Sequence, residues 1–430
     1  MKILILLPSE NITGGADRAA VQLIDHMIEK GMNPILIFRG GGNFRDYFAD
    51  KDVKTYIVPC DWWIHGIQDA RGFDASTAEN AMAISKIVDI IEKNKPDATM
   101  TYTIDMPWLA YASKVCGVPH VCSIHELVDD KRAWRTRLPA EHIIEIMDKL
   151  SVGLVVNSEW TKLNYEKYNL RNKLLVNYPM SIDKVQIDER SKGNNPFDDN
   201  SFNIVLVGNV QRIKNQLDAV KAIERLKKCN MFPNLYLIGS RSDREYYNDI
   251  KKYVRENGLH SQVKFTGFKK EPLLYTKNAD ISLMCSSVDS FGLVTLESIA
   301  LGVPTISAKA GGSVEIIDDE KNGYFYNAGD ADDLADRIKY VYDNMEAAKA
   351  KARVASKNVC KKYDLESNYK SLFKLLCEVK PLEMELYLAD ITAMFDGIIK
   401  VHGLTVNRKL YLPIKLFDKI LSRIKGVLRR

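Results

Sequence analysis

The sequence contains no run of about 20 consecutive apolar residues, the length a membrane-crossing helix needs. Its opening, residues 1–8, carries one lysine and then only five apolar residues, too few for the apolar centre of a secretory leader, and reads as a buried strand. Cysteine is scarce. The seven residues (60, 116, 122, 229, 285, 360 and 377) form an odd, scattered set with no Cys-x-x-Cys pair. A disulfide framework and a zinc knuckle are excluded, and the cysteines are expected as small core residues in reducing cytoplasm. The first strand–helix junction lacks the Gly-x-Gly-x-x-Gly of dinucleotide binders, which counts against a two-domain dehydrogenase. With 46% apolar and 27% charged residues, the chain as a whole is neither disordered, collagen-like nor a coiled coil.

A large net charge is also missing. The total is +5, yet residues 407–430 hold eight Lys/Arg against one acid, so the rest of the chain sums to −2. A near-neutral body excludes a general nucleic-acid binder and places an electrostatic role at the C-terminus.

What is present is organised twice over. The chain has 430 residues, too many for one ordinary core, so two domains of roughly 150–200 residues are expected. Residues 2–7 read as a strand, Lys2 followed by the continuous apolar run 3–7; a loop with Pro8, Gly14 and Gly15 follows, apolar residues recur at helical spacing to Gly31, and 35–38 is the next strand. The same order restarts at 202–207, with a loop from Gly208, a helix over 218–228 and a strand at 235–238. Two α/β, doubly wound Rossmann-like domains facing across a cleft are therefore expected, 1–180 and 202–362. The polar stretch 181–201 reads as a linker, 363–380 as a helix able to cross back to the first domain, and 381–430 as a basic amphipathic tail. In that tail Ile414, Phe417, Ile420, Leu421, Ile424 and Leu428 share one helical face, with Lys415, Lys419, Arg423 and Arg429 around the other. Three readings stand for it: an anionic membrane surface through 410–430, docking on its own domain, or a partner contact.

The strongest motif runs from Asp289 through Phe291-Gly292-Leu293 and Glu297 to Gly302-Val-Pro304. A strand over 281–286 ends in a loop, and a helix begins near Leu293. Its unpaired first N–H groups and partial positive charge can hold a phosphate. Gly292, without a Cβ, lets a ligand approach the backbone. Glu297 presents two oxygens that can accept from a ribose diol, or it is a surface helix residue. Asp289 can reach the other end of the same ligand, or cap the helix. An acidic residue, seven others, Glu and then Gly-x-Pro resembles the signature of family 4 of the retaining glycosyltransferases, which have the GT-B fold. Phe265-Thr-Gly267, Asn278-Ala-Asp280, Ala310-Gly-Gly-Ser-Val-Glu-Ile-Ile317 and Asn322-Gly323 resemble the rest of that pattern. The resemblance extends over residues 1 to about 375.

It implies that domain 1–180 is the acceptor side and 202–362 the donor side. It also implies that Asp289 contacts donor-sugar hydroxyls, that the backbone of Phe291, Gly292 and Leu293 meets the sugar and distal phosphate, and that Glu297 holds the ribose. The family usually has Glu at the position of Asp289, a reach longer by roughly 1.5 Å. Lys214, at the mouth of a helix, is placed to neutralise the leaving diphosphate. The family often has Gly-Arg where this chain has Gly208-Asn209, and Arg212 is expected to supply that charge. Gly14 and Gly15 are expected to face the donor from the first domain. His125, in Ser123-Ile-His125-Glu126, matches a family histidine near the donor sugar, with Glu126 as a fainter candidate.

Acceptor signals are weaker. Asp61-Trp62-Trp63-Ile-His65 and Lys131-Arg-Ala-Trp134-Arg-Thr-Arg137 suit stacking on sugars or binding acceptor phosphates, and equally suit buried aromatics and a solvated basic segment. Asp330-Ala-Asp332-Asp333 precedes helical spacing and reads as an N-cap rather than a metal site; no metal and no other cofactor is expected. The reading is a cytoplasmic retaining glycosyltransferase, peripheral on the inner face of the plasma membrane through its tail. It would move a sugar from a nucleotide-diphosphate sugar to a glycan or lipid-linked glycan acceptor in cell-surface polysaccharide biosynthesis. A noncatalytic sugar-nucleotide binder and another GT-B enzyme, such as a sugar-nucleotide epimerase, are the alternatives.

Overall fold

The computed structural model describes residues 1–62, 64–66, 73–128, 134–136, 140–182, 184–197 and 201–380. The expectations for Trp63, for Lys131, Arg132 and Arg137, and for the tail 381–430 lie outside the described residues.

The chain divides into two compact units. One comprises Met1–Val156, Tyr165–Leu175 and, from Ser371, the end of helix Leu365–Glu378; the other comprises Asn157–Asn164 and Val176–Lys370. Each is built on its own sheet.

In the first unit the strand order is Lys54–Ile57, Asn33–Phe38, Lys2–Leu6, Ala98–Thr101, His120–Ile124, Gly153–Val156 and Leu174–Val176. The first six run parallel. Ile3 to Leu6 are at most 1% exposed, which is why this run shows no polar alternation: both faces of a parallel sheet are covered. The order reverses between Lys2–Leu6 and its neighbour Ala98–Thr101, a topological switch point that leaves the loop after the first strand at the sheet's carboxyl edge. Helix Leu365–Glu378 ends in this unit, where Leu375 packs on Gly153 and Phe373 stacks on His26.

The second unit holds six parallel strands in the order Val263–Gly267, Asn234–Ile238, Asn203–Val207, Ile281–Met284, Thr305–Ala308 and Tyr324–Tyr326. Its switch point falls between Asn203–Val207 and Ile281–Met284. Helix Gln216–Lys228 turns Ala219, Val220, Ile223 and Leu226 into the core against these strands.

Two boundaries differ from the sequence expectation. The stretch 181–201 is not a bare linker: it contains helix Lys184–Arg190, and Ile182 and Ile187 are buried in the same cluster as Phe291 and Leu296. Two apolar anchors suffice for docking, and the surrounding Asp, Lys and Asn mask them in composition. Residues 157–164, placed by chain order in the first domain, pack with the second unit.

One buried base makes the fold sensitive to acid. His120 is 1% exposed and lies between the hydroxyls of Thr99 (Nδ1, 2.8 Å) and Thr101 (Nε2, 3.0 Å). Burial pushes it down to about 3. Below its unfolded value of about 6.5 the unfolded chain takes up a proton that the native state refuses, so stability falls as pH falls. Relative to His120→Asn, the parent protein should lose roughly 1 kcal/mol per pH unit between about pH 6 and pH 4 in urea titrations. A constant difference would mean that the imidazole ionises inside the fold.

Candidate functional site

The second sheet's switch point places two loops side by side. One leaves Asn203–Val207 through Gly208 and a short 3-10 turn, Arg212–Lys214, before helix Gln216–Lys228. The other leaves Ile281–Met284 and enters helix Leu293–Ala300, as the sequence indicates. Asn215 joins turn to helix at φ 50°, a left-handed conformation asparagine tolerates. Across the gap Lys214 Nζ donates to Asp289 Oδ2 at 2.8 Å, the side chains being 24% and 17% exposed.

The other oxygen of that carboxylate, Oδ1, accepts from the N–H of Gly292 at 3.1 Å and of Phe291 at 3.4 Å. Burial would raise the Asp289 carboxyl, but the Lys214 ammonium, its hydrogen bond and the two amides outweigh burial and hold the group below its ordinary value. An ammonium and the amides at a helix N-terminus thus converge on one carboxylate. These are the groups that bind a phosphate.

The loop is held from beneath by glycine. A Cβ on Gly312 would lie 2.4 Å from Phe291 Cα, and one on Gly311 2.4 Å from the Asp289 carbonyl oxygen; Gly312 N also donates to that oxygen at 2.8 Å. Gly292 sits at φ 92°, with the Ser313 hydroxyl 2.7 Å from where a Cβ would be, so the fold itself requires glycine there. The Phe291 ring is buried against Tyr178 and Tyr363, leaving only its backbone to the site. Leu293 is the first helical residue, and Glu297 follows one turn on at 2% exposure, which sets aside the surface reading.

Other expected residues are arranged differently. Arg212 does not join Lys214. Its guanidinium meets Glu245 at 3.0 Å, Asp249 at 3.4 Å and Asp243 at 3.5 Å, at the start of helix Arg244–Glu256. Three acids in and before the first two turns of that helix hold the guanidinium there. The Asn209 side chain accepts from Ser240 N at 3.2 Å, tying two strand ends together. Gly208, at φ 153°, lies beside the Lys214 methylenes and under Gly239, whose Cβ would strike its carbonyl oxygen.

In the first unit, Gly14 caps helix Gly15–Glu29, and its N–H donates to Asp17 Oδ2 at 2.8 Å. Its backbone is extended, and an added Cβ would make only an ordinary 3.5 Å contact, so the fold alone does not demand glycine at 14. His125 lies on Tyr102, ring centroids 4.0 Å apart, with Nε2 at 2.9 Å from the Ser123 hydroxyl. Burial pushes it down to about 3, which leaves the imidazole neutral at neutral pH. Glu126 turns back onto its own loops, accepting from the Thr103 hydroxyl (2.7 Å), Ile104 N (3.3 Å) and His125 N (3.1 Å). Burial raises Glu126 and also Asp105, which the Glu126 charge raises further.

Asp61 pairs with Arg39 at 3.5 Å, and Arg39 lies over the Trp62 ring, so this acceptor candidate is an internal brace. Ile64–Gly66 pairs antiparallel with Trp134–Thr136, His65 in register with Arg135, which places the backbones of the two acceptor motifs side by side. Asp330 caps helix Ala331–Asp343 as expected. Among the described residues no group of three His, Cys, Asp or Glu is arranged to hold a metal.

The sequence reading missed Asn157, Ser158 and Thr161, which bond to Ser290 in the middle of this loop. It also missed what Glu315 does, accepting from the N–H groups of Glu159 and Trp160. The available signal was Asn157-Ser158 directly after the strand Gly153–Val156, which reads only as a helix cap.

Two family descriptions cover most of the chain: Glycosyltransferase Family 4 over residues 13–180 and Glycosyl transferases group 1 over 187–358. The chain belongs to glycosyltransferase family 4. Among curated relatives of this family-4 chain, a D-inositol 3-phosphate glycosyltransferase of Paenarthrobacter aurescens is 29% identical over 160 residues, 36% of this chain and 39% of the relative. The chain thus spans well under half of that relative. The lipopolysaccharide core biosynthesis glycosyltransferase LpsE of Rhizobium meliloti is 23% identical over 76% of this chain and 85% of its own length. Anabaena HepE, solved with UDP-glucose, superposes with a TM-score of 0.72 at 17% identity over 88% of this chain and all of HepE, which shows the GT-B fold.

Gly312→Ala tests the loop's bed. Its φ of −67° suits alanine, so the effect is steric alone. The variant should bind nucleoside diphosphates at least about tenfold more weakly by calorimetry. Unchanged affinity would remove loop 289–292 from the site.

Proposed function

We propose that this family-4 chain is a retaining, nucleotide-sugar-dependent glycosyltransferase, and that the diphosphate of its donor takes the place of the Asp289 carboxylate between Lys214 and the amides of Phe291 and Gly292. The observation that carries this is the convergence of one ammonium and a helix N-terminus at the switch point of a doubly wound sheet. Glu297, in the helix behind, would take the ribose, and the displaced Asp289 would turn to hydroxyls of the sugar. HepE's complex with UDP-glucose supports a nucleotide sugar as ligand, and LpsE's role supports a glycan or lipid-linked glycan acceptor.

The chemistry follows from charge. As the glycosidic bond breaks, negative charge grows on the diphosphate, where Lys214 and oriented amides stabilise it without reorganising. With Asp289 assigned to hydroxyls of the sugar and Glu297 to the ribose, neither is set aside as a nucleophile. Retention then implies front-face transfer, the acceptor proton passing to the departing diphosphate. His125, uncharged, would serve as a hydrogen-bonding dipole. Charge neutralisation by Lys214 and amides calls for no metal.

A noncatalytic sugar-nucleotide binder is favoured by one observation: Arg212 is engaged by three acids and Asn209 by Ser240, which leaves Lys214 as the cation at Asp289. The two readings separate by product. A panel of nucleotide sugars incubated with the protein should yield free nucleoside diphosphate by mass spectrometry, slowed by about 100-fold in Lys214→Ala. Binding without hydrolysis or transfer would establish the binder.

The end of the basic tail is proposed as a membrane-surface anchor, because residues 407–430 hold eight Lys/Arg against one acid. Removing residues 410–430 should release the protein from vesicles containing anionic lipid and leave donor hydrolysis intact. Equal sedimentation of both proteins with the vesicles would reject the anchor.

A further inference from the structure

Loop 289–292 is gripped by a segment distant in sequence. Asn157, Ser158 and Thr161 are 3%, 0% and 0% exposed. The Ser158 hydroxyl lies 2.5 Å from the Ser290 carbonyl oxygen and the Thr161 hydroxyl 3.0 Å from the same atom, while Asn157 Nδ2 donates to the Ser290 hydroxyl at 2.8 Å. Each hydroxyl carries one proton. Ser158 is the nearer donor to the carbonyl, and Thr161 divides its proton between that oxygen and Asn157 Oδ1 at 2.8 Å. The segment is itself pinned, because Glu315 accepts from its Glu159 and Trp160 N–H groups.

The Ser290 carbonyl and the Phe291 N–H belong to one planar peptide group and point in opposite directions. Holding the carbonyl in a buried hydroxyl pocket therefore aims the Phe291 N–H the other way, toward the position that Asp289 Oδ1 now fills. Were this plane to flip, the loop would present a carbonyl oxygen to an anion, and the N–H would be buried. Attraction would become repulsion at the site's centre.

We propose that Ser158 and Thr161 are positioning residues for the diphosphate: they lock the 290–291 peptide so that its N–H, and not its carbonyl, faces the anion. This rests on the reading of loop 289–292 as the diphosphate site. The effect should fall on the outer phosphate and spare the rest of the nucleotide, which separates positioning from general structural support.

The experiment measures, by calorimetry, the affinities for UDP and UMP, GDP and GMP, and ADP and AMP, taking the base the parent protein binds best. In Ser158→Ala and Thr161→Val the preference for diphosphate over monophosphate should drop by about fivefold each, with melting temperatures recorded alongside. Thr161→Ser, which keeps the hydroxyl, should restore the preference. Should Ser158→Ala fail to fold, the near-isosteric Thr161→Val carries the same comparison. An unchanged preference in folded variants, or an equal loss for mono- and diphosphate, overturns the positioning role and leaves the function proposal standing. A parent protein that binds none of the diphosphates overturns both.

Discussion

Everything at this site turns on a single carboxylate held at both ends. Asp289 bonds through one oxygen to Lys214 and through the other to the amides of its own loop. The second contact is an Asx-type turn, available to Asp because its short side chain reaches residues two and three ahead. A longer Glu would overshoot those amides. The shorter residue at this position, which the sequence marks as a departure from the family, thus has a visible consequence: the anion-binding groups are satisfied internally. Any incoming diphosphate must offer more than the carboxylate it displaces, and two negative phosphates facing an ammonium do so.

Such a loop needs rigid backing, because exchanging one anion for another is productive only if the amides stay aimed. The backing comes from three directions in sequence. Gly311 and Gly312 lie beneath, too close to the loop backbone for any side chain. The Phe291 ring is locked between Tyr178 and Tyr363. Ser158 and Thr161 hold the intervening carbonyl. The helix cap, the small-residue bed and the buried hydroxyls are ordinary folding devices, and here they act on four consecutive residues.

How much of this the sequence reveals depends on the range of the interaction. The two doubly wound sheets were legible because their strands are uninterrupted apolar runs and the intervening helices keep their spacing. The helix start at Leu293 and the cap at Asp330 were legible because they are set by neighbours within four residues. The partners of Arg212 are not legible in the sequence, because its acids, Glu245 and Asp249, lie 33 and 37 positions away on another helix. The Asn157–Ser290 bond joins residues 133 apart, beyond any local pattern. The linker expectation failed for a related reason: Ile182 and Ile187 are only two apolar residues in a polar stretch, and their importance lies in the core they enter. Asn209 illustrates a subtler limit. Its difference from the family was plain, but its use as a tie to Ser240 was not.

The proposed seat of an activated sugar's diphosphate is the N-terminal amides of helix Leu293–Ala300, beside Lys214. A crystal structure with a bound nucleotide sugar tests it most directly. The account predicts phosphate oxygens within about 3 Å of the Lys214 Nζ and of the Phe291 and Gly292 nitrogens, with the Asp289 carboxylate swung off them. A diphosphate bound elsewhere, with the Lys214–Asp289 pair intact, would contradict it.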